Sequence, residues 1–300
     1  MPAPVPAETC PACGRAGRVT VRTVPDHEYG LAHRVRYATC ADCESEYQTP
    51  MPTLGELADF YPSDYHSMQG GGFLQRLRDT LRLRRLRRLL DGEGALLDYG
   101  CGDGRFLVHA AARMRGRQLF GYEIGPRPEI RRLAGDAVTL VRGDLATLLD
   151  VLPPCRLVTM NHVIEHLPDP LAVISALAAR LVPGGILDGQ TPAVGSLEQL
   201  LFGTRWSGYH APRHTLVFAR DGLRRLLARA GLSDVSITGA FNPAGLALSL
   251  ASLAHGDAPG VIRRRGPRWL AHLGVATLLA PFDLLSGAPA VIDFRARKAA

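Results

Sequence analysis

The stretch "LLDYGCGDGRF", residues 96–106, decides the fold of this 300-residue chain. Glycines occupy every second position from Gly100 to Gly104, directly after a short apolar run that contains Asp98. A glycine turn between an apolar strand and a new helix lets a ligand lie against bare backbone. A dinucleotide fingerprint needs its last glycine where Arg105 stands, and the acids of the turn would repel a pyrophosphate. We therefore expect a ligand without phosphates that carries an ammonium and a sulfonium.

From Ala95 onward, strand patterns and helix patterns alternate. We predict strands at 95–99, 118–123, 137–141, 156–160, 184–190, 234–239 and 290–296, and helices at 105–114, 126–134, 170–181 and 221–230. This alternation predicts an α/β fold, a Rossmann-like, doubly wound and mostly parallel sheet with helices on both faces. Ligands of such sheets bind beyond the carboxyl ends of the strands. Two insertions interrupt the pattern, at 195–218 and 241–289.

Four of the six cysteines form two C-x-x-C pairs: Cys10 and Cys13, then Cys40 and Cys43. Two short strand patterns, 19–24 and 34–39, lie between the pairs. This arrangement is typical of a small zinc ribbon, in which four thiolates hold one structural Zn²⁺. A pair of disulfides or four idle thiols are the alternatives, but no export signal is visible and thiols stay reduced in the cytosol, which favours zinc. The metal would supply folding energy that so short a segment cannot gain from burial.

The composition divides the chain into three parts. We assign 1–50 to the ribbon, 51–92 to a linker with an arginine-rich helical segment, and 93–300 to the α/β domain. The net charge of +7 permits an anionic partner without requiring one. The arginines from Arg76 to Arg88 predict either a solvated helix face or a docking face for phosphates or anionic headgroups.

The apolar run that starts at Trp269 is interrupted by Pro281 and Asp283. Because a spanning helix needs roughly 20 uninterrupted apolar residues, we expect a buried or interfacial helix there. The expected location is the cytoplasm, with peripheral membrane contact as an open alternative. The oligomeric state is left open.

Six motifs follow one another in the order seen in class I S-adenosylmethionine-dependent methyltransferases, and the chain resembles this family from about Leu96 to Ala230. They are "LLDYGCGDGRFL", "GYEIGP", "RGDL", "NHVIEHLPDP", "LVPGG" and "TPAVGSLEQLLFG". The chain is similar to a bacterial branch often found with genes for cell-surface polysaccharides and secondary metabolites. The resemblance implies S-adenosylmethionine as the cofactor.

By this resemblance, the residues that line the cofactor site are Asp98, Gly100, Gly102, Glu123, Asp144, Leu145 and Asn161. Glu123 ends the second strand, where a carboxylate can accept both hydroxyls of a ribose. Asp144 follows the third strand, where it can accept from an adenine amino group. Tyr61 and Tyr65 are expected to cover the site, as similar tyrosines do in relatives.

Two groups of histidines fall where the acceptor should bind, in "NHVIEHL" (161–167) and in "RWSGYHAPRHTLVF" (205–218). Methyl transfer requires an aligned acceptor and, for a hydroxyl or an activated carbon, a base that removes its proton. Histidine suits that task near neutral pH. We expect His166 or His214 to be the base, with Glu165 orienting an imidazole or the substrate and His210 as a further candidate.

In the same insertion, Arg213 is expected to hold an acidic group of the acceptor, and Trp206 and Tyr209 either wall a ring or pack in the core. The predicted function is methyl transfer to a hydroxyl or carbon of a sugar, lipid-linked glycan or natural product. An RNA methyltransferase is the second hypothesis, although the sparse aromatics disfavour nucleic-acid binding. A cofactor-binding scaffold without turnover is the third. The ribbon is expected to pack over the pocket mouth and shape access for the acceptor.

Overall fold

The computed structural model describes residues 9–61, 73–125, 128–256 and 261–299. Within these ranges the elements are β1 Arg18–Pro25, β2 Arg34–Cys40, β3 Glu46–Gln48, α1 Leu54–Ala58, α2 Phe73–Arg87, β4 Ala95–Tyr99, α3 Arg105–Ala111, β5 Leu119–Ile124, β6 Glu129–Leu133, β7 Val138–Gly143, α4 Leu145–Val151, β8 Cys155–Asn161, α5 Pro170–Arg180, β9 Leu181–Pro192, α6 Leu197–Phe202, β10 Leu216–Val217, α7 Arg220–Arg229, β11 Leu232–Gly239, α8 Pro243–His255, α9 Pro267–Leu285 and β12 Val291–Lys298.

The larger sheet has eight strands in the order β11-β12-β9-β8-β4-β5-β7-β6. Strands β4, β5, β7, β8 and β9 run parallel, whereas β6 and β12 are antiparallel to their neighbours. This confirms the predicted Rossmann-like, mostly parallel α/β fold. The strand order reverses between β4 and β8, so the turns that follow these two strands meet at the edge of the sheet where ligands bind in such folds.

Helices cover both faces of this sheet because its central strands are apolar on both sides. On one face, Leu97 and Val158 belong to a buried cluster that also contains Ile174 of α5 and Leu223 of α7. On the other face, Leu96 packs with Leu83 and Leu86 of α2 and with Leu107 of α3. Alternate residues of β4 therefore point to two separate cores.

The prediction of a helix at 126–134 is wrong: from 129 to 133 the chain forms β6, an edge strand antiparallel to β7. The next three residues, Ala134, Gly135 and Asp136, all have positive φ, which turns the chain back sharply. The strand lies mostly exposed at the edge of the sheet, so it carries no alternating apolar signal that a sequence pattern could show. Helix α3 also ends at Ala111 rather than at 114.

A second, smaller sheet joins the cysteine-containing segment to the α/β domain. Its order is β1-β2-β3-β10, and each pair is antiparallel. Strands β1 and β2 contain the two predicted strands, but β10 comes from the first insertion and pairs with β3 over Leu216 and Val217. The ribbon sheet is therefore completed by a strand that begins two residues after His214.

The second insertion forms α8 and α9, which pack against each other through Leu246, Leu273 and Ala276. Helix α8 also holds the turn that precedes His210, because Ser249 Oγ accepts the backbone N–H of Ser207 at 2.9 Å. In the described part of the chain, no helix combines the length and the apolar character that crossing a membrane requires.

Candidate active site

The glycine turn after β4 is shaped by close contacts on one side and open space on the other. Gly100 has φ +79°, and a Cβ there would lie 2.3 Å from the side chain of Val163, in the turn after β8. Gly102 has φ +60°, and a Cβ there would meet no atom within 4 Å. The backbone of Gly102 therefore faces room for a ligand, and the turns after β4 and β8 touch.

Glu123 lies beside this turn at the end of β5. Its Oε2 accepts the backbone N–H of Gly102 at 2.7 Å. Burial raises the pKa of Glu123, against the opposing effect of that hydrogen bond. The second carboxylate oxygen is not used in this contact, so the predicted role as acceptor for ribose hydroxyls is compatible with the geometry.

We expected the carboxylate of Asp98 to be free to bind a cationic ligand, but it already has partners within the protein. It is buried, and its Oδ1 accepts from Arg82 Nη2 and from Thr159 Oγ1, both at 2.6 Å. The Arg82 guanidinium also lies 3.9 Å from the ring centre of Phe106. An arginine from α2 thus already balances the charge of Asp98. Sequence reasoning missed this partner because Arg82 is one of many arginines in its helix.

Two other predicted cofactor residues sit where α4 begins. Asp144 caps this helix, and its Oδ1 accepts from the Thr147 N–H at 2.8 Å and from Thr147 Oγ1 at 2.7 Å. Leu145 is the first helical residue, and Asn161 is the last residue of β8. All three therefore lie at the carboxyl edge of the sheet with the glycine turn. Tyr65 lies outside the described residues.

Two arginines of α2 form ion pairs with carboxylates of the sheet, whereas the docking hypothesis expected them to bind phosphates or anionic headgroups. Arg85 Nη2 lies 2.5 Å from Asp188 Oδ2, and its Nη1 lies 3.0 Å from Asp293 Oδ2. Asp188 is buried in β9 and also accepts from Arg295. Arg82 and Arg85 therefore fasten α2 to the sheet rather than forming a phosphate-docking face.

A backbone carbonyl fixes the proton position on His166, the first of the two candidate bases. Its Nδ1 lies 3.0 Å from the carbonyl oxygen of Arg213 and 2.9 Å from the hydroxyl of Tyr61. A carbonyl only accepts, so Nδ1 carries the hydrogen and Nε2 the lone pair. Burial lowers the pKa of His166 to about 4, although the carboxylate of Glu165 opposes the shift. The imidazole is therefore neutral at pH 7 and able to accept a proton.

His214 and Glu165 lie beside His166. One ring nitrogen of each histidine and one carboxylate oxygen of Glu165 all lie within 4.8 Å of one another. His214 is buried, its Nδ1 donates to the carbonyl of Gly208 at 2.8 Å, and its Nε2 lies 3.9 Å from Glu165 Oε1. Glu165 is fully buried and its Oε2 accepts from Thr191 at 3.0 Å. Burial and the neighbouring histidines lower the pKa of His214 well below its usual value.

The residue that pairs with Glu165 is His162, which the sequence showed without a distinct role. Its Nδ1 lies 3.3 Å from Glu165 Oε1, and its Nε2 lies 2.8 Å from Gln190 Oε1. Desolvation opposes protonation, but these two acceptors together raise the pKa of His162. In turn, burial would raise the pKa of Glu165, yet its hydrogen bond and charge interaction with His162 keep it below the ordinary value. Glu165 thus remains a carboxylate.

His210 and Arg213 are held inside the protein. His210 Nδ1 lies 2.7 Å from Glu28 Oε2, and its Nε2 accepts from Arg213 Nε at 3.0 Å. With both ring nitrogens engaged, His210 is poorly placed to take a proton from an acceptor. Arg213 has a fully buried side chain and binds Asp26 through two nitrogens, at 2.9 and 3.0 Å. The expectation that Arg213 holds an acidic group of the acceptor is therefore corrected.

Trp206 and Tyr209 pack in the hydrophobic core and do not form the wall of an acceptor site. Both are buried and pack with Val24 and Tyr37 of the ribbon sheet. The Tyr209 hydroxyl donates to Glu46 Oε2 at 2.7 Å, so its polar end is satisfied internally. Neither ring is available as a wall for an acceptor.

The ribbon holds the histidine-bearing segment 210–215 directly. Tyr37 Oη donates to the carbonyl of His214 at 2.5 Å, and Gln48 Nε2 donates to the carbonyls of Pro212 and His214 at 2.7 and 2.8 Å. Both side chains are buried. Together with Glu28 and Asp26, these residues fix the backbone that carries His210, Arg213 and His214. No sequence signal marked them, since their partners lie far along the chain.

The four predicted metal ligands converge at one point. The Sγ atoms of Cys10 and Cys43 are 3.7 Å apart and those of Cys13 and Cys40 are 3.6 Å apart, and all four thiols are buried and free of disulfides. Thiolates bound to zinc at about 2.3 Å in a tetrahedron lie about 3.8 Å from one another. The cluster therefore fits one tetrahedral ion, and no disulfide joins these four cysteines.

This cysteine cluster is seated on α7. Ser45 Oγ accepts the backbone N–H of Ala219 at 3.0 Å, just before the helix begins. A Cβ at Gly222 would lie 2.1 Å from Ser45 Oγ and 3.0 Å from Cys43 Sγ, so only glycine permits this approach. The cluster and the α/β domain are packed together without a gap at this point.

A model of the methyltransferase-domain family matches residues 72–237, more than half of the chain. The chain belongs to this family, and the predicted S-adenosylmethionine-dependent methyltransferase domain is confirmed. The family match includes helix α2 with Arg82 and Arg85 as well as both turns of the candidate site.

Proteins of similar sequence include ubiquinone biosynthesis O-methyltransferases from several bacteria. The one from Idiomarina loihiensis is 30% identical over 167 residues, which cover 49% of this chain and 65% of the relative. The one from Cereibacter sphaeroides is 31% identical over 171 residues, 52% of this chain and 68% of the relative. Among solved structures, a SAM-dependent methyltransferase from Archaeoglobus fulgidus is similar with a TM-score of 0.48 and 21% identity, covering 78% of this chain and 97% of that one. The chain thus spans slightly less than two thirds of the Idiomarina relative.

Proposed function

We propose that this protein transfers a methyl group from S-adenosylmethionine to a hydroxyl or carbon of a small molecule. The observation that carries the proposal is the contact between Gly100 and Val163, which joins the glycine turn to the turn that bears His166. The turn that bears His166 thereby lies against the backbone that we assign to the cofactor, and the Arg213 carbonyl leaves the lone pair of this histidine on Nε2. The relatives are named as O-methyltransferases, which favours a hydroxyl acceptor.

In this proposal the cofactor rests on Gly102 and extends toward the ends of β5, β7 and β8. Glu123 accepts the ribose hydroxyls, Asp144 accepts from the adenine amino group, and Leu145 and Asn161 line the cleft. Asp98, already paired with Arg82, fixes the turn from beneath and contributes less negative charge than an unpaired acid. When bound, the cofactor supplies an electrophilic methyl group.

His166 is the proposed base for the acceptor. The Arg213 carbonyl fixes its tautomer, and its Nε2 receives the acceptor proton. Glu165, held as a carboxylate by His162, stabilises the imidazolium that forms, as an acid beside a catalytic imidazole does in other enzymes. His214 is a positioning residue in this scheme, because its ring is more deeply buried than that of His166 and lies 4.5 Å from it, centre to centre.

Calorimetry with S-adenosylhomocysteine tests the cofactor site without any acceptor. We expect the wild-type protein to bind, Glu123→Gln to bind at least tenfold more weakly, and Glu129→Gln to bind as the wild type does. Glu129 is the matched control because it is an exposed acid on the edge strand β6, which β7 separates from β5. No heat from wild-type protein, or equal affinities for both variants, would contradict the cofactor site.

Labelled methyl from S-adenosylmethionine, followed into small molecules of a lysate from the native host, tests the reaction. We expect wild-type protein to label an acceptor and His166→Ala to lose nearly all of this activity. His272→Ala, a histidine on α9, should retain it. Loss of activity only in a His214 variant, with His166→Ala active, would move the base to His214.

We further propose that the four ribbon cysteines hold one structural Zn²⁺ and that residues 1–50 act as a positioning domain for segment 210–215. The fit of the thiol spacing to a tetrahedron supports the metal, and the bonds from Tyr37 and Gln48 support the positioning role. Residues 51–92 and 93–300 keep their proposed roles as connecting segment and methyltransferase domain.

RNA as the acceptor depends on basic residues that grip a backbone, and two of the central arginines of α2 are bound to buried carboxylates. A gel shift with total RNA at low and high salt distinguishes the two acceptor classes, since binding through phosphates weakens steeply with salt. We expect no salt-sensitive shift.

A further inference from the structure

The longest helix of the second insertion, α9, is apolar on two opposite sides. Its inner side packs against α8 through Leu273 and Ala276. On its outer side, Leu278, Phe282 and Leu285 are 76%, 64% and 82% exposed. A helix that is hydrophobic all round is normally buried, so the outer side of α9 is suited to a surface that the described part of this chain does not supply.

The outer residues form one continuous stripe. At 100° per residue, the exposed Val275, Leu278, Phe282 and Leu285 project within about 80° of one another. The stripe runs roughly 15 Å along the helix from Val275 to Leu285, and the exposed Leu270 lies one and a half turns before it. This is the geometry of a helix that lies flat on an apolar layer rather than one that enters a narrow pocket.

Helix α6 extends the apolar surface beyond the end of α9. Leu197 and Leu200 of α6 line a groove of about 560 Å³ together with Ser286 and Ala288, which follow α9. Leu200 and its neighbour Leu201 are both strongly exposed. The surface that we call the α6–α9 face thus consists of the α9 stripe with Leu197, Leu200 and Leu201.

The charges around this face indicate what covers it. Arg263, Arg265 and Arg268 are exposed where the chain enters α9. The only acid in the helix, Asp283, turns away and accepts the backbone N–H of Ala290 at 3.1 Å. An apolar stripe bordered by exposed arginines and without an outward acid is complementary to a membrane surface with anionic headgroups.

We propose that the α6–α9 face binds the surface of a bilayer that contains anionic phospholipid, with α9 lying in the headgroup region. The arginines contact the headgroups, and the leucines and Phe282 enter the boundary with the acyl chains. This binding is independent of the proposed methyl transfer and can be measured without a cofactor or an acceptor.

Flotation of the full-length protein with phosphatidylcholine vesicles tests the proposal, with and without about one third phosphatidylglycerol. We expect binding to the anionic vesicles, little binding to pure phosphatidylcholine, and weaker binding at high salt. Leu278→Glu/Phe282→Glu should lower the affinity at least tenfold, since both side chains are exposed and their replacement leaves the core intact. Replacing the three arginines by glutamine should lower it roughly a hundredfold.

Ile130→Glu is the matched control, because Ile130 is also exposed but lies on β6. Helix α9 lies in the chain between β11 and β12, which form the opposite edge of the sheet from β6. Equal binding by the double variant and by Ile130→Glu would overturn the proposal, as would absence of binding to anionic vesicles. Light scattering is measured on the same proteins. A wild-type dimer that Leu278→Glu/Phe282→Glu converts to monomers, with no vesicle binding, would assign the face to a second copy of the chain and also overturn the proposal.

Discussion

Gln48 connects the ribbon to the segment that carries the acceptor-side histidines, and replacing it by leucine tests that connection. Its amide nitrogen has two hydrogens, and the carbonyls of Pro212 and His214 accept both, at 2.7 and 2.8 Å. In Gln48→Leu, the His214 carbonyl keeps the hydroxyl of Tyr37, but the Pro212 carbonyl loses its donor from Gln48. The variant therefore leaves one buried carbonyl without this partner.

The cost of that orphaned carbonyl sets the expected size of the effect. A buried acceptor that loses its hydrogen bond costs about 1–3 kcal/mol, and we take about 2 kcal/mol. If segment 210–217 opens on its own, about 2 kcal/mol raises its open population roughly 30-fold. The proposed base is affected as well, because His166 donates to the carbonyl of Arg213 within this segment.

Amide hydrogen exchange followed by peptide mass spectrometry measures this opening. We expect protection in 210–217 to fall about 30-fold, while peptides from β5 and β7 change much less and the affinity for S-adenosylhomocysteine stays within about twofold. Thr20→Val is the control, because it removes an exposed hydrogen bond to Thr39 in the same ribbon and should change little. Uniform loss of protection along the chain, or none at 210–217, would refute the reasoning.

Three further outcomes are expected. Burial lowers the pKa of His166 to about 4, and the base acts in its unprotonated form. Turnover measured against pH should therefore stay level down to about pH 5 and fall below that. A fall in turnover that begins near pH 6.5 would contradict this role of His166. Burial and the charge of Asp283 raise the pKa of Glu198 from 4.5 to about 8, so the folded protein loses stability as pH rises between these values. Glu198→Gln should then be more stable than wild type at pH 8, by about 4 kcal/mol at most, and equal to it below pH 4.5, as urea unfolding at both pH values would show. Elemental analysis should find one zinc per chain, lost in Cys43→Ser together with thermal stability; metal-free wild-type protein with an intact ribbon would argue against the zinc proposal.

The parts of the fold that the sequence predicted are those whose signals are local. The strand that ends before Gly100, the alternation of strands and helices, and the two C-x-x-C turns each depend on residues within a few positions of one another. Strand β6 was not predicted, because an exposed edge strand carries no alternation of apolar residues. Its backbone is fixed by pairing with β7. Helix α3 ended early for a similar reason, since the end of a helix is weakly marked in sequence.

The candidate site shows the same division. Sequence pattern alone placed Glu123, Asp144 and the histidine groups at the ends of strands, and it paired the cysteines for one metal. Only the tertiary structure decided the roles around them. Gln48 meets Pro212 across 164 residues of chain, and Arg82 reaches Asp98 from a separate helix. Such contacts depend on how distant segments come together in space, and the same glutamine or arginine would leave the same local pattern whether it met these partners or water.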